Sequence, residues 1–277
     1  MSVVVTPALA LIVFGAGAVA GSLGALLGIG GGVFLVPFLN LVLALPMTTA
    51  AAISLTTVIA TSSSVSAVRT GKQLINLRLG MVLEVATAAG ALLGGLTAQL
   101  LAESTIQKLF GAVAAIVAFV MLGRLGRRNV LDPSVDPGPL GGRYYEEESR
   151  GTVSYRIKRL PVALLASFVA GNVSSLLGIG GGVIKVPALN AWCGVPLRAA
   201  AATSAFMIGV TATAGAVIYY GRGQLVPPLA AAAVLGVQLG SWGGMRVGAR
   251  ASAMWLKLLM AIVLFVVSVL MFVRGAR

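Results

Sequence analysis

The chain has 277 residues, of which 58% are hydrophobic and only 10% charged, against roughly 25% charged in a soluble domain. With a mean hydropathy of +1.00 it reads as an integral membrane protein. Lys and Arg number 20 against 7 acids, a net charge of +13. In so apolar a chain that excess marks the cytoplasmic flanks of membrane spans more than a nucleic-acid surface. There is no His and one Cys, Cys193, which excludes an intrachain disulfide and leaves zinc sites and Cys–His catalysis without ligands.

The N-terminus, Met1-Ser2-Val3, has no basic n-region, so the first apolar run is expected to stay in the mature protein. That run covers residues 7–27 and ends at Gly28-Ile29-Gly30-Gly31-Gly32-Val33. Glycines give up more backbone entropy than Ala, so this cluster ends the helix. Residues 33–45 follow, with Pro37 inside and Pro46 after. Thirteen helical residues reach only about 20 Å, short of a core of about 30 Å, so this is a half-helix. Residues 48–68 are rich in hydroxyls, including Ser54 and Thr57; residues 79–101 carry Gly90-x-x-x-Gly94, and residues 106–122 end at Arg124, Arg127 and Arg128.

Residues 125–158 are a polar linker that holds five of the seven acids. Its Asp-Pro-Ser-Val-Asp-Pro-Gly-Pro run cannot hold a helix, and it is expected to be a solvent-exposed loop, partly ordered by its mixed charges. The second half repeats the order with segments 160–177, 183–193, 199–220, 225–247 and 254–272. Its glycine cluster, Gly178-Ile179-Gly180-Gly181-Gly182-Val183, stands 150 residues after the first, and the offset holds from Gly21/Gly171 through Asn40/Asn190 to Pro46/Pro196. Gly236, Gly240 and Gly244 match the small-residue face of the first half, where helices can approach closely in lipid.

The expected domains are therefore a first transmembrane repeat (1–124), a cytoplasmic linker (125–158) and a second repeat (159–277). Arg69, Lys72 and Arg78 place the loop between the third and fourth segments in the cytoplasm, and Arg246, Arg250 and Lys257 do the same for the loop between the last two. The first-half counterpart of that last loop lies outside, so the halves have opposite orientation. The expected fold is all-α, two inverted repeats, each with about four full transmembrane helices and one short half-helix after a glycine-rich break. Arg274 and Arg277 then end outside, against the charge rule.

The doubled Gly-Ile-Gly-Gly-Gly-Val-x-x-Val-Pro motif, followed by Pro46 and Pro196, resembles the sulfite exporter TauE/SafE family, and the resemblance covers essentially the whole chain. It implies a multi-pass transporter of a bacterial or archaeal plasma membrane that exports sulfite or a small organosulfonate such as sulfoacetate. Nothing in the spacing itself points to sulfur.

Irregular backbone at membrane depth survives only where it is buried in protein or lines a polar cavity. Gly30, Gly31 and Gly32, and Gly180, Gly181 and Gly182, precede helix N-termini whose unpaired N–H groups suit an anion; close packing is the competing account. No Walker motif is present. Ser54, Thr57, Thr203 and Ser204 follow the short helices and are candidates for the same site, although a membrane hydroxyl often bonds only its own i−4 carbonyl. Asn40, Asn190, Pro37 and Pro187 are expected to shape the breaks. Lys185, in an otherwise apolar short helix and matched by Leu35, is expected to face the cavity and supply positive charge, with snorkelling to water as the alternative. Nearby acids that could neutralise it are expected to be absent, since its own half has no Asp or Glu after Glu148. Glu84, near the start of the fourth segment, either snorkels, pairs with a base or serves proton coupling.

The leading reading is a secondary transporter of a small anion working by alternating access, with an anion channel or a permease for another small oxyanion as the alternative. An enzyme lacks the His, Cys and paired carboxylates it would need. No metal or other cofactor is expected. The expected partners are the anionic substrate and the lipid bilayer, without nucleic acid, and a homodimer is left open.

Overall fold

The computed structural model describes residues 6–27, 30–70, 74–123, 136–146, 151–248 and 253–276. Each half contributes five helical elements. In the first, α1 (Pro7–Leu27) is followed by the short α2 (Gly32–Pro37), whose last turn widens into a π-helical stretch over Phe38–Val42. Then come α3 (Met47–Thr70), α4 (Leu77–Ala98) and α5 (Glu103–Gly123). The second half gives α6 (Leu160–Leu177), the short α7 (Gly182–Trp192), α8 (Leu197–Gly221), α9 (Pro227–Gly248) and α10 (Ala253–Ala276). Local chemistry sets several boundaries. The Asn76 side chain accepts a hydrogen bond from the Leu79 N–H at 3.0 Å and caps α4. Gly178 closes α6 at φ +74°, a left-handed cap that a side chain would disfavour.

Among the described residues, four helices are long and apolar enough to cross a membrane: Pro7–Ala25, Leu77–Ala98, Leu160–Leu177 and Arg198–Gly221. The remaining long helices, α3, α5, α9 and α10, have 24, 21, 22 and 24 residues, lengths of about 31 Å or more. Large apolar side chains point out all around the bundle, among them Leu11, Val85, Phe119, Leu165, Val217 and Phe265. A chain in water would bury these; lipid is their natural surrounding.

The small-residue faces lock helices together across the halves. Gly17 and Gly21 of α1 abut Ala233 and Val237 of α9, while Gly236, Gly240 and Gly244 abut Phe14, Ala18 and Ser22. The numbers rise together, so these helices are parallel. Gly90 and Gly94 of α4 meet Phe168 and Asn172 of α6 in the same way. In contrast, α3 and α8 run antiparallel, with Leu55 beside Gly215 and Ser62 beside Gly209. So do α5 and α10, where Gly111 meets Phe272 and Gly275 meets Ser104. Two interlocked groups result: α1, α2, α3 and α9 in one, and α4, α6, α7 and α8 in the other. Exchanging each helix for its counterpart in the other half reproduces the principal helix pairs, although α3 also touches α5 and α6.

The linker departs from expectation. Rather than a solvent-exposed loop, its second part is an antiparallel hairpin of β1 (Gly142–Glu146) and β2 (Gly151–Tyr155), so the otherwise helical fold carries one small sheet. Tyr144, Val153 and Tyr155 are buried against Leu79, Leu83, Ala163, Leu189 and Ala199 at one end of the α4–α6–α7–α8 group. The two Tyr rings stack edge to face with centroids 6.5 Å apart. Asn76 ties the hairpin down by donating to Leu140 O at 2.8 Å and to the Tyr155 hydroxyl at 3.2 Å. Burial pushes the Tyr155 phenol above its ordinary range, so it stays neutral. The apolar face was missed because it consists of scattered aromatic residues between charges.

Candidate functional site

After α1 the chain doubles back. Gly31 lies against Ala20 and Gly21, and a Cβ added to Gly24 would strike the backbone of Gly30 and Gly31. The two glycine breaks then meet each other. A Cβ on Gly32 would stand 2.6 Å from Ser54 Oγ and 3.2 Å from Ile179 Cα. Ser54 donates to Gly178 O at 2.6 Å, a bond from the first half to the second break. Gly30 and Gly180 take φ values of +79° and +81°, which only glycine adopts without strain. Both close on Val58, and Gly180 also on Ile208. Val58 and Ile208 stand 150 residues apart, each near the middle of its long helix, so the breaks meet at mid-depth in the bundle.

Gly181 caps α7 at φ +70°. Ile184 N and Lys185 N donate to Gly181 O at 3.2 and 3.1 Å, and Gly182 N to Gly180 O at 2.9 Å. Beside this N-terminus lies Ser174, whose Oγ would be 3.3 Å from a Cβ at Gly181. Ser174 is buried, and its hydroxyl has no hydrogen-bond partner. The same is true of Ser175 and Ser204. Unpaired buried hydroxyls cost free energy in a packed interior; Ser174 is the one beside Gly181, whereas Ser175 Oγ packs toward Gly95 of α4 and Gly215 of α8. Ser174 and Ser175 escape sequence reasoning because their first-half counterparts, Gly24 and Ala25, carry no hydroxyl.

A cavity of about 10 Å³ lies between Gly24, Gly30, Val58, Thr61, Ser62, Ala205 and Ile208. That is room for about one water.

The other predicted residues separate into two groups. Thr57 donates to Ser54 O at 2.7 Å within its own helix, the helix-internal bond expected of a membrane hydroxyl. Thr203 accepts from the Asn76 N–H at 3.0 Å and so fastens α8 to the start of α4. Asn40 donates to Leu45 O at 2.8 Å and Asn190 to Val195 O at 2.9 Å. These matched bonds hold the chain as it leaves each short helix. Asn40 also donates to Glu103 Oε1 at 3.0 Å, whose oxygen accepts the Met47 N–H at 3.2 Å. Pro37 directly precedes the π-helical stretch, whereas Pro187 sits inside an unbroken α7. An extra residue in the turn absorbs the hydrogen bond that a helical proline removes.

Lys185 is 1% exposed, which rules out snorkelling. The expectation that no acid lies nearby fails, because Glu84 of the first half supplies one. Lys185 Nζ donates to Thr211 Oγ1 at 3.0 Å, Glu84 Oε1 lies 2.8 Å from the same hydroxyl, and Glu84 Oε2 is 3.8 Å from Nζ. Glu84 is thus turned inward rather than toward the interface, with its side chain 13% exposed. The pair forms because α4 packs beside α6 and α8 of the other half, a placement with no signal in sequence distance. Thr211 lies one turn along α8 from Ile208, so the three polar groups border the second break.

Apolar helices in two interlocked groups, broken after the first helix of each half at mid-depth beside buried polar groups, make a multi-pass membrane transporter. The model of the sulfite exporter TauE/SafE family matches residues 13–271, and the chain belongs to that family. It is 25% identical over 266 residues, covering 94% of this chain and 96% of the relative, to the probable membrane transporter protein YunE of Bacillus subtilis (strain 168). No solved structure matches this chain.

Proposed function

We propose that the protein is a secondary transporter that exports a small anion, sulfite or an organosulfonate such as sulfoacetate, across a bacterial or archaeal plasma membrane by alternating access. The observation that carries this reading is the meeting of the two glycine breaks between the midpoints of α3 and α8, where Gly30 and Gly180 both close on Val58. Helix breaks at matched positions of two halves mark transporter binding sites. The anion would sit where the breaks meet, bound by N–H groups at the start of α7 and by hydroxyls of Ser174 and Ser204, with the Lys185 ammonium nearby.

An inverted repeat is the architecture this mechanism uses. It is supported by helix directions: α1, α3 and α9 run one way and α4, α6 and α8 the other, so exchange of the halves reverses direction. With Arg78, Arg246 and the linker at the cytoplasmic end, both chain termini face outside. An experimental structure with the halves related by an axis along the membrane normal would overturn this part.

The test is uptake into proteoliposomes with sulfite, sulfate, sulfoacetate, taurine and phosphate. The expected result is saturable flux of sulfite or sulfoacetate, accelerated by the same anion on the opposite side. Flux that rises linearly with concentration and shows no such acceleration would establish a channel instead.

A further inference from the structure

The hydrogen bonds around Thr211 can all be made together only when Glu84 is protonated. Its oxygen accepts from Lys185 Nζ at 3.0 Å and lies 2.8 Å from Glu84 Oε1 and 3.0 Å from Met207 O. A hydroxyl has one proton to give. With Glu84 ionised, Thr211 donates to the carboxylate and leaves the Met207 carbonyl to its helical partner. With Glu84 protonated, the carboxyl donates to Thr211, and Thr211 donates to Met207 O. Both patterns use the same heavy-atom positions. The other carboxylate oxygen, Oε2, is buried with no hydrogen bond and touches only the field of Lys185.

From this geometry we propose that Glu84 is a proton-binding site whose protonation frees Lys185 for the transported anion, so that one proton binds and moves with each anion. The inference rests on the anion-transport reading above. While Glu84 is ionised it is the counter-ion of Lys185, and an incoming anion meets a neutral pair. Protonation neutralises Glu84 and leaves the ammonium unpaired beside the second break, where an anion restores charge balance. Binding of either species then favours the other, by the same factor in both directions. Proton and anion load together and are released together, a co-transport whose direction the two gradients set.

Few other ionisable groups lie on the described elements packed against the pair, and the hairpin brings Tyr144 and Tyr155 into the buried cluster that holds Leu83 and Met207. On α4 itself Arg78 is exposed at the helix start. The described part of α6 carries none. On α8, Arg198 lies near the beginning, 13 residues from Thr211 and about 20 Å along the axis, and Tyr219 donates its hydroxyl to Ser175 O at 2.8 Å. Tyr220 and Arg222 are exposed at the far end of α8. On α5, which reaches α7, Glu103 is held by Asn40 and Lys108 is exposed. The first half has no second copy of the switch: Leu35, Thr61 and Val234 stand at the matching positions. One transported anion therefore meets one switch.

The experiment measures sulfoacetate binding to purified protein by calorimetry, from mildly acidic to mildly basic pH, where the probe's own charge is constant. Wild-type affinity should rise about tenfold for each unit of falling pH until it levels off, as one linked proton requires. Glu84→Gln should bind with the levelled, high affinity at every pH, and Lys185→Gln should not bind at any pH. A Glu84→Gln protein that keeps the wild-type pH slope overturns the proposal. A second readout needs no ligand. Infrared spectra of the wild type should gain a protonated-carboxyl band as pH falls, and the band should be missing from Glu84→Gln. If sulfoacetate does not bind the wild type but the band appears, the substrate reading fails and the proton site stands. If the band never appears, the proton site fails whatever the substrate.

Discussion

Gly15 and Gly32 are both helical glycines of the first half, yet their surroundings set opposite expectations. A Cβ at Gly15 meets nothing within 4 Å, so Gly15→Ala should leave stability unchanged or raise it by up to about 1 kcal/mol through helix propensity. At Gly32 the new methyl would press on Ser54 Oγ at 2.6 Å and on the Gly178 carbonyl. Gly32→Ala should lower the thermal midpoint in detergent and reduce anion flux, and equal midpoints for the two variants would show that the breaks are not packed against each other. The buried charges give a second residue-scale expectation. Lys185→Met strands Glu84 without its cation, and breaking a buried pair costs about 3–5 kcal/mol. The double variant Lys185→Met/Glu84→Leu should recover most of that loss, because a well-packed apolar pair is about as stable as the ionic one. Thermal unfolding of the single and double variants measures the difference, and only the wild type should bind anion.

At the scale of elements, the hairpin and the small-residue faces set which helices can move apart. The sequence alone marks residues 125–158 as an exposed polar loop, but β1 carries Tyr144 into the packed end of the α4–α6–α7–α8 group. Tyr144→Ala should therefore destabilise by about 3 kcal/mol, as truncation of a buried aromatic does. Replacing residues 136–155 by a flexible linker of equal length should cost more, since Asn76 also loses its bonds to Leu140 and Tyr155. Thermal shift of purified protein reads both, and an unchanged midpoint would return the linker to the role of a passive tether.

At the scale of the whole molecule, the proposed alternating access would move the two interlocked groups against each other, and α3 and α8 form the seam between them. Ser62 donates to Ala205 O at 2.5 Å across that seam. In a Cys193→Ser background, Ser62→Cys with Ala205→Cys places two thiols at the same level of the antiparallel pair. Oxidation should stop anion flux in proteoliposomes and reduction should restore it. Full flux in the crosslinked protein would show that the seam stays rigid and that the moving surface lies elsewhere.

The membrane class, the helical segments, the two glycine breaks and their 150-residue offset were legible without coordinates. Hydropathy and glycine content are local properties, and they act on the backbone wherever the segment packs. The pairing of Asn40 with Leu45 O and Asn190 with Val195 O is equally local, five residues apart in each case. The partner of Lys185 was not legible, because Glu84 lies in the other half and reaches it only when α4 docks on α6 through Gly90 and Gly94. The buried faces of Tyr144 and Tyr155 escaped for the same reason: a short strand shows its inner side only once something covers it. Local chain chemistry specified where helices start, stop and break; which break meets which, and which charge finds its counter-ion, was decided by close packing between segments distant in the chain.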